Sequence, residues 1–445
     1  MLLSFAVENW MSYRNEATLS LISSLERQHM STLSKVPGFR SKKVLPLAAI
    51  YGGNASGKTG MFKALSCLKQ MVISNPSVNN VVPVVPFAFD AESSLKPTMF
   101  DVAFIAKNTV YRLVVEATMD AIHYESLEVI SEKGNTGIYE RNDGQWVFNQ
   151  AFFIDSEHVE YAAKSTRVNQ LFLGSAVAQN IVELREAYDW FDVTLELVGV
   201  ESQAWSFATN AIRKEGFLEY ASTVLSRLDT GIVELTTEKV SPDRLPQNAT
   251  IRKDISELGP DELLTFVGER TAGDYGFEMG TIRLENGQPI VELFSTVHMS
   301  SNGEKYSLPI SMESSGTQRL MGLLPMLFDL INPDGSTGEK VYVVDELDRC
   351  LHTMLTKRLI EDFTVGCRSD TRKQLLFTTH DLLLMDQSLL RRDEMFISQR
   401  NADGCSELVG LSEYRDIRYD KDLIRSYLDG RFGGIPMLGE LGTRG

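Results

Sequence analysis

The stretch Ala49-Ile50-Tyr51-Gly52-Gly53-Asn54-Ala55-Ser56-Gly57-Lys58-Thr59 decides how the rest of the chain is read. Gly52, Gly57, Lys58 and Thr59 stand at the spacing G-x-x-x-x-G-K-[ST], the pattern of a loop that cradles phosphates. An apolar run from Leu45 to Tyr51, with Pro46 near its start, leads in and predicts a strand. Met61, Phe62, Leu65, Leu68 and Val72 lead out at three- and four-residue steps, the spacing of one helix face. A strand, a glycine-rich turn and a helix aim backbone N–H groups and the helix's positive end at one point. Gly52, Asn54, Ala55, Ser56, Gly57, Lys58 and Thr59 are therefore expected to bind a nucleotide. Lys58 would reach the terminal phosphates, and the Thr59 hydroxyl would ligate Mg²⁺. Such a loop announces a nucleotide and leaves its purpose to other residues.

Composition narrows the purpose. A length of 445 residues suits about three average domains. Hydrophobic content of 43% and charged content of 23% are ordinary for a soluble globular protein. No apolar run approaches the roughly 20 residues of a membrane span, so no membrane partner is expected. Met1 to Phe5 lack the basic region and cleavage pattern of a signal peptide and read as a strand. Cys67, Cys350, Cys367 and Cys405 lie far apart with no C-x-x-C spacing, which suggests neither a zinc site nor a disulfide framework. A reducing, cytoplasmic setting is expected. The net charge of −16 disfavours broad non-specific DNA binding, which needs a basic face. The longest basic cluster, Arg40-Ser41-Lys42-Lys43, is short and reads as a solvated loop, although a local basic groove made by a dimer stays compatible with this charge.

Along the chain, Leu3, Phe5 and Val7 alternate with Ser4, Ala6 and Glu8 as in a half-buried strand. Asn9 to Tyr13 read as a turn, Ala17 to Leu21 as a second strand, and the Pro- and Asn-rich passage from Asn75 to Pro86 as a loop. Met99 to Val147 read as short strands, with turn chemistry at Gly134-Asn135 and Asp143-Gly144, and predict an antiparallel layer. Between Val168 and Leu228 the spacing of Ile181, Leu184, Tyr188 and Phe191, then Phe217, Tyr220 and Val224, is helical. Lys239 to Gly280 are charged, weakly patterned and broken by Pro242, Pro246 and Pro260, and carry no chemical motif. Strand patterns return at Thr281–Leu284 and Ile290–Val297.

Three later stretches carry chemistry. Val341-Tyr342-Val343-Val344-Asp345-Glu346 is a buried-strand pattern ending in two acids, and α/β sheets place ligands at the carboxyl ends of their strands. Asp345 is expected to hold the Mg²⁺ shell, and Glu346 to orient and polarise the attacking water. Glu313-Ser314-Ser315-Gly316-Thr317-Gln318-Arg319 opens a helix and offers backbone N–H groups and a hydroxyl to an anion. Taken alone, it is better explained as an ordinary helix cap. One nucleotide needs only one phosphate site, so Ser315 and Gly316 are read as contacting a γ-phosphate bound by a second subunit. Gln374 to Asp381 is a further buried strand, and His380 at its end is a candidate γ-phosphate sensor.

The order of phosphate loop, large insertion, Ser-Ser-Gly-Thr-Gln, Asp-Glu strand and strand-His resembles the ABC-type ATPase head, in the SMC and RecF-like branch. Ser314-Ser315-Gly316-Thr317-Gln318 is similar to that family's L-S-G-G-Q signature, Leu351-His352 to its D-loop, and His380 to its switch histidine. The resemblance implies ATP and Mg²⁺ as ligands and a head-to-tail dimer. Each ATP would lie between one subunit's phosphate loop and the other's Ser315, Gly316 and Gln318. Phe5 to Tyr13, Asn54 to Thr59, Glu313 to Leu320 and Tyr427 to Pro436 further resemble stand-alone bacterial AAA-family ATPases of antiphage and abortive-infection operons, such as PARIS, Septu and retron systems. Those proteins usually act beside a nuclease or toxin, which implies an effector partner and a phage-encoded trigger. The resemblance spans roughly residues 1–175 and 280–436.

It implies an α/β fold: a P-loop ATPase head with a mixed, largely parallel core sheet, an antiparallel β layer and a helical insertion. The expected divisions are an N-terminal ATPase lobe at 1–175, a helical insertion at 176–280 and a C-terminal ATPase lobe at 281–445. Two features depart from the family. No Gln-loop glutamine stands near Val81–Phe89, and Gln70 is too early. Only 65 residues follow His380, too few for the Toprim nuclease of overcoming-lysogenization-defect enzymes, so the chain is expected to cut nothing itself. The leading expectation is an ATP-driven switch that controls a partner. A RecF- or SMC-like ATPase that clamps DNA is the second reading, although residues 180–280 hold no long heptad arm. A transporter subunit fits poorly, because the insertion before Ser314 is too large.

Overall fold

The computed structural model describes residues 1–199, 215–228, 230–242, 253, 255–256, 258–259, 263–269, 277–331, 338–414 and 422–434. The chain divides into two compact units: Met1–Leu197 with Ser336–Leu347 and Ile360–Gly445, and Val198–Gly335 with Asp348–Leu359.

Among the described residues the first unit contains two large sheets and a small antiparallel pair, Ser34–Lys35 with Lys43–Val44. In the seven-stranded one the order is Gln145–Phe148, Gly134–Asn142, Ile122–Ser131, Thr109–Ala117, Thr98–Ala106, Leu2–Glu8 and Ala17–Ser20, with antiparallel neighbours throughout. Its register sets Phe5 opposite Val102 and Val7 opposite Phe100, so apolar pairs line one buried face. This is the antiparallel layer that the alternation predicts.

The six-stranded sheet runs Leu195–Val198, Glu339–Val344, Arg372–Thr379, Leu47–Tyr51, Met395–Arg400 and Ser406–Gly410. Leu47–Tyr51 is parallel to Arg372–Thr379 on one side and to Met395–Arg400 on the other, and Glu339–Val344 is parallel to Arg372–Thr379. All five residues of Leu47–Tyr51 are buried, which is why the sequence there is an unbroken apolar run. Parallel pairing brings Gly52, Asp345, Glu346 and His380 to the carboxyl edge of one sheet. The helix Lys58–Ile73 buries Met61, Ala64, Leu65, Leu68, Met71 and Val72, with Phe62 half-buried beside them.

The second unit holds strands Ile232–Val240, Gln288–Met299, Phe277–Glu285 and Leu263–Glu269 in that order, with Lys305–Pro309 paired to Gln288–Met299. Helix Phe217–Arg227 lies against Ser315–Ile331, where Phe217 and Tyr220 set their rings on Phe328 at 5.6 and 5.2 Å. These strands correct the expectation of a helical insertion over 176–280, since among the described residues that span holds strands as well as helices. The expected boundaries at 175 and 280 also differ from the division the chain makes. The cause is physical. The small core formed by Phe266, Ile282, Val291 and Leu293 needs few apolar residues, so Glu, Lys and Thr fill strands such as Ile232–Val240 and blur the alternation. Pro246 and Pro260, and Ile435-Pro436 of the C-terminal resemblance, lie outside the described residues. Among the described residues no helix is long and apolar enough to cross a membrane.

Candidate active site

The phosphate loop takes its shape from close packing around two glycines. Gly52 has φ +154, and a Cβ there would stand 2.3 Å from the Ser398 carbonyl oxygen and 2.6 Å from Ser56 Oγ. Gly57 has φ +118, and a Cβ would meet Ser406 Oγ at 2.7 Å and Tyr13 Oη at 2.9 Å. A side chain at Gly52 would have to move backbone, and one at Gly57 would have to displace Ser406 and Tyr13. Lys58 is buried and its ammonium donates to the carbonyls of Gly52 at 2.7 Å and Gly53 at 3.0 Å, so the cation curls over the loop. Asn54 and Ala55 form the exposed crest, with Ala55 left-handed at φ 60. Ser56 Oγ is buried and has no hydrogen-bond partner among the described residues.

The turn after the first strand braces this loop from below. Tyr13 Oη donates to the Gly57 carbonyl at 3.1 Å, and Trp10 Nε1 to the Gly60 carbonyl at 2.9 Å. Burial raises the Tyr13 phenol to about 12, so it stays a neutral donor. Trp10 and Tyr13 stood in the quoted resemblance without a role, and the structure supplies one.

Asp345 meets the loop's end directly, and Glu346 lines the same cleft as the loop. Thr59 Oγ1 lies 3.3 Å from Asp345 Oδ1. Thr378, on the neighbouring parallel strand, donates its hydroxyl to Asp345 Oδ1 at 2.7 Å and accepts from the Glu346 backbone N–H at 2.8 Å. Glu346 itself is left-handed at φ 51, a strained conformation of about 1–3 kcal/mol for a non-glycine residue. Glu346, His380 and residues 54–60 line one cleft of about 580 Å³, together with Met11, Ser12, Phe89 and Arg400. Lys58, Thr59, Asp345, Glu346 and His380 are thus brought to one place, as expected. Thr378, Phe89 and Arg400 were missed. For Thr378 the signal was the polar pair Thr378-Thr379 inside an apolar strand; for Arg400 there was none.

Ser315, Gly316 and Gln318 belong to the other unit. Ser314 caps their helix, its Oγ accepting from the Thr317 N–H at 3.1 Å, which leaves Ser315 exposed. A Cβ on Gly316 would stand 2.7 Å from the Cys350 carbonyl oxygen, so this glycine permits close contact with the stretch before Leu351-His352. The Gln318 amide is turned back, donating to the carbonyls of Ser311 at 3.2 Å and Glu313 at 2.8 Å. Glu313 is gripped in turn by His298 Nε2 at 2.7 Å and by the Thr296 hydroxyl.

The donor set suits Mg²⁺. Thr59 and Asp345 offer hard oxygens side by side, and Mg²⁺ characteristically takes one or two protein oxygens plus phosphate and water. Among the described residues no group of three or more His, Cys, Asp or Glu could hold a metal on its own, so substrate oxygens would have to complete the shell.

The sequence profile of a family described as "AAA domain, putative AbiEii toxin, Type IV TA system" matches residues 47–386. A solved SMC head domain from Thermotoga maritima is similar at 13% identity and a TM-score of 0.34, covering 92% of this chain and 98% of that one. A SmcHead bound to the C-winged helix domain of ScpA is similar at 12% identity and a TM-score of 0.37, covering 93% and 99%. No curated protein matches.

Proposed function

This chain belongs to the AAA domain family described as putative AbiEii toxin of Type IV TA systems, and from that premise we propose that it is an ABC-type ATP hydrolase. Its turnover switches a partner nuclease or toxin. The observation that carries the reading is the bonded chain Thr59–Asp345–Thr378–Glu346 beside the buried Lys58. It supports the reading because a buried ammonium, two adjacent oxygens and a further carboxylate are the groups that phosphate, Mg²⁺ and water each require. Lys58 exchanges its loop carbonyls for β- and γ-phosphate oxygens. Thr59 and Asp345 would hold Mg²⁺, which supplies charge neutralisation on those oxygens. Glu346 accepts the proton of a water whose oxygen attacks the γ-phosphorus, as the bond to the β–γ bridging oxygen breaks and ADP leaves. His380, exposed at the cleft, donates to the γ-phosphate.

Ser315, presented at a helix N-terminus while Ser314 does the capping, suits the γ-phosphate of a nucleotide held by a second copy. ATP then closes a head-to-tail dimer, and hydrolysis or a phage trigger opens it. The net charge of −16 favours a protein partner over nucleic acid.

The test is a pair of variants. Glu346→Gln should bind ATP with affinity near wild type, lose turnover by about two orders of magnitude or more, and accumulate as an ATP-dependent dimer in light scattering. Lys58→Ala should lose nucleotide binding. Near wild-type phosphate release by Glu346→Gln would overturn the assignment.

A further inference from the structure

The cleft has two flanks of different chemistry. In the sheet, the strands ending near Glu346 and His380 lie on one side of Leu47–Tyr51, and Met395–Arg400 lies on the other. On the Arg400 side the lining is mostly apolar: Met11, Val85, Ala88 and Phe89, with Ser12 among them. Phe89 is 65% exposed, yet its position is fixed. Its ring stands edge-on to the buried Phe87 at 5.3 Å and 88°, and the Arg400 guanidinium lies 5.2 Å from its centroid. Phe87 is anchored by its N–H to Asn9 Oδ1 at 3.0 Å, and Arg400 by Nε to the Gly404 carbonyl at 2.7 Å. An aromatic ring held this firmly, and left open in a cleft whose other flank is built for phosphates, suits a flat, π-bearing occupant.

Resting on the nucleotide reading above, we propose that Phe89, backed by Arg400, is the seat of the nucleotide's purine base. The base stacks on the open part of the ring, and the guanidinium adds a cation–π contribution from behind. Stacking area makes such a seat prefer purines to pyrimidines.

Calorimetric titration of ATP, CTP and inorganic tripolyphosphate tests this. Wild type should bind ATP more tightly than CTP and much more tightly than tripolyphosphate. Phe89→Ala should weaken ATP by about tenfold or more with tripolyphosphate unchanged, Phe89→Trp should restore ATP binding, and Arg400→Gln should cost a few-fold. Unchanged ATP affinity in Phe89→Ala, or parallel loss of ATP and tripolyphosphate, overturns the seat. So does equal binding of CTP and ATP. Wild type binding tripolyphosphate as well as ATP overturns the seat and leaves the phosphate site standing. Wild type binding neither overturns the proposed function as well.

Discussion

Thr378 makes two adjacent acids different. Asp345 receives the Thr378 hydroxyl and faces Thr59, whereas Glu346 has a left-handed backbone whose N–H is tied to the same hydroxyl. A single oxygen thus fixes the carboxylate proposed to hold the metal and ties the strained backbone of the acid beside it. Thr378→Val keeps the shape and removes the hydroxyl, leaving the Glu346 N–H without this acceptor, at a cost of about 1–3 kcal/mol. Because phosphoryl transfer depends on positioning, turnover should fall by about tenfold to a hundredfold. ATP affinity should stay within a few-fold, and Thr378→Ser should retain most activity. Steady-state phosphate release alongside direct binding separates the two quantities, and a wild-type turnover number in Thr378→Val would remove Thr378 from the mechanism.

At the scale of elements, Asn9 ties the first strand to the loop that carries Phe89. Its amide donates to the carbonyls of Ser93, Lys96 and Pro97 at 2.8, 2.9 and 3.2 Å, and accepts from the Phe87 N–H at 3.0 Å. It does so from a left-handed conformation at φ 51, which asparagine tolerates better than most residues. Asn9→Ala should therefore lose about 2–4 kcal/mol of unfolding free energy in denaturant titration. A change within about 0.5 kcal/mol, the range of a neutral surface substitution, would contradict this role. The same elements show what local sequence can and cannot carry. The strand Leu47–Tyr51 and the helix Lys58–Ile73 were legible because glycine spacing, apolar steps and burial coincide within a short window. Val341–Val344 and Leu375–Phe377 were legible because a strand covered on both faces becomes a continuous apolar run. The strand Ile232–Val240 was not, since most of its side chains are at least partly exposed and its Glu and Thr residues mask the period. Thr378 and Arg400 depend on contacts made across strands, and no local spacing encodes those. Asn9 sat within a quoted motif, but its partners lie more than 70 residues away.

Stability against pH belongs to the whole molecule, and one buried network should leave a readable mark on it. Arg391 is fully buried and grips Asp393 through Nε at 2.8 Å and Nη2 at 2.7 Å, while Asp393 also accepts from the N–H and hydroxyl of Ser24, both at 2.7 Å. Next to this satisfied pair, Glu394 is buried and accepts the Arg391 backbone N–H at 2.8 Å. Burial, reinforced by the Asp393 charge, outweighs that hydrogen bond and the Arg391 charge, and lifts the Glu394 carboxyl to about 8 from its ordinary 4.5. The folded chain therefore keeps this proton where the unfolded chain has released it. The unfolded state binds fewer protons, so the contribution is full below about pH 4.5 and shrinks as pH rises towards about 8. Its slope is on the order of 1 kcal/mol per pH unit. Glu394→Gln mimics the protonated carboxyl without titrating. Other ionisable groups cancel when the two proteins are compared, so the stability of the variant relative to wild type should rise steadily between pH 5 and pH 8. Denaturant unfolding at three pH values across that range measures it, and a constant difference would show that Glu394 is already ionised in the folded protein.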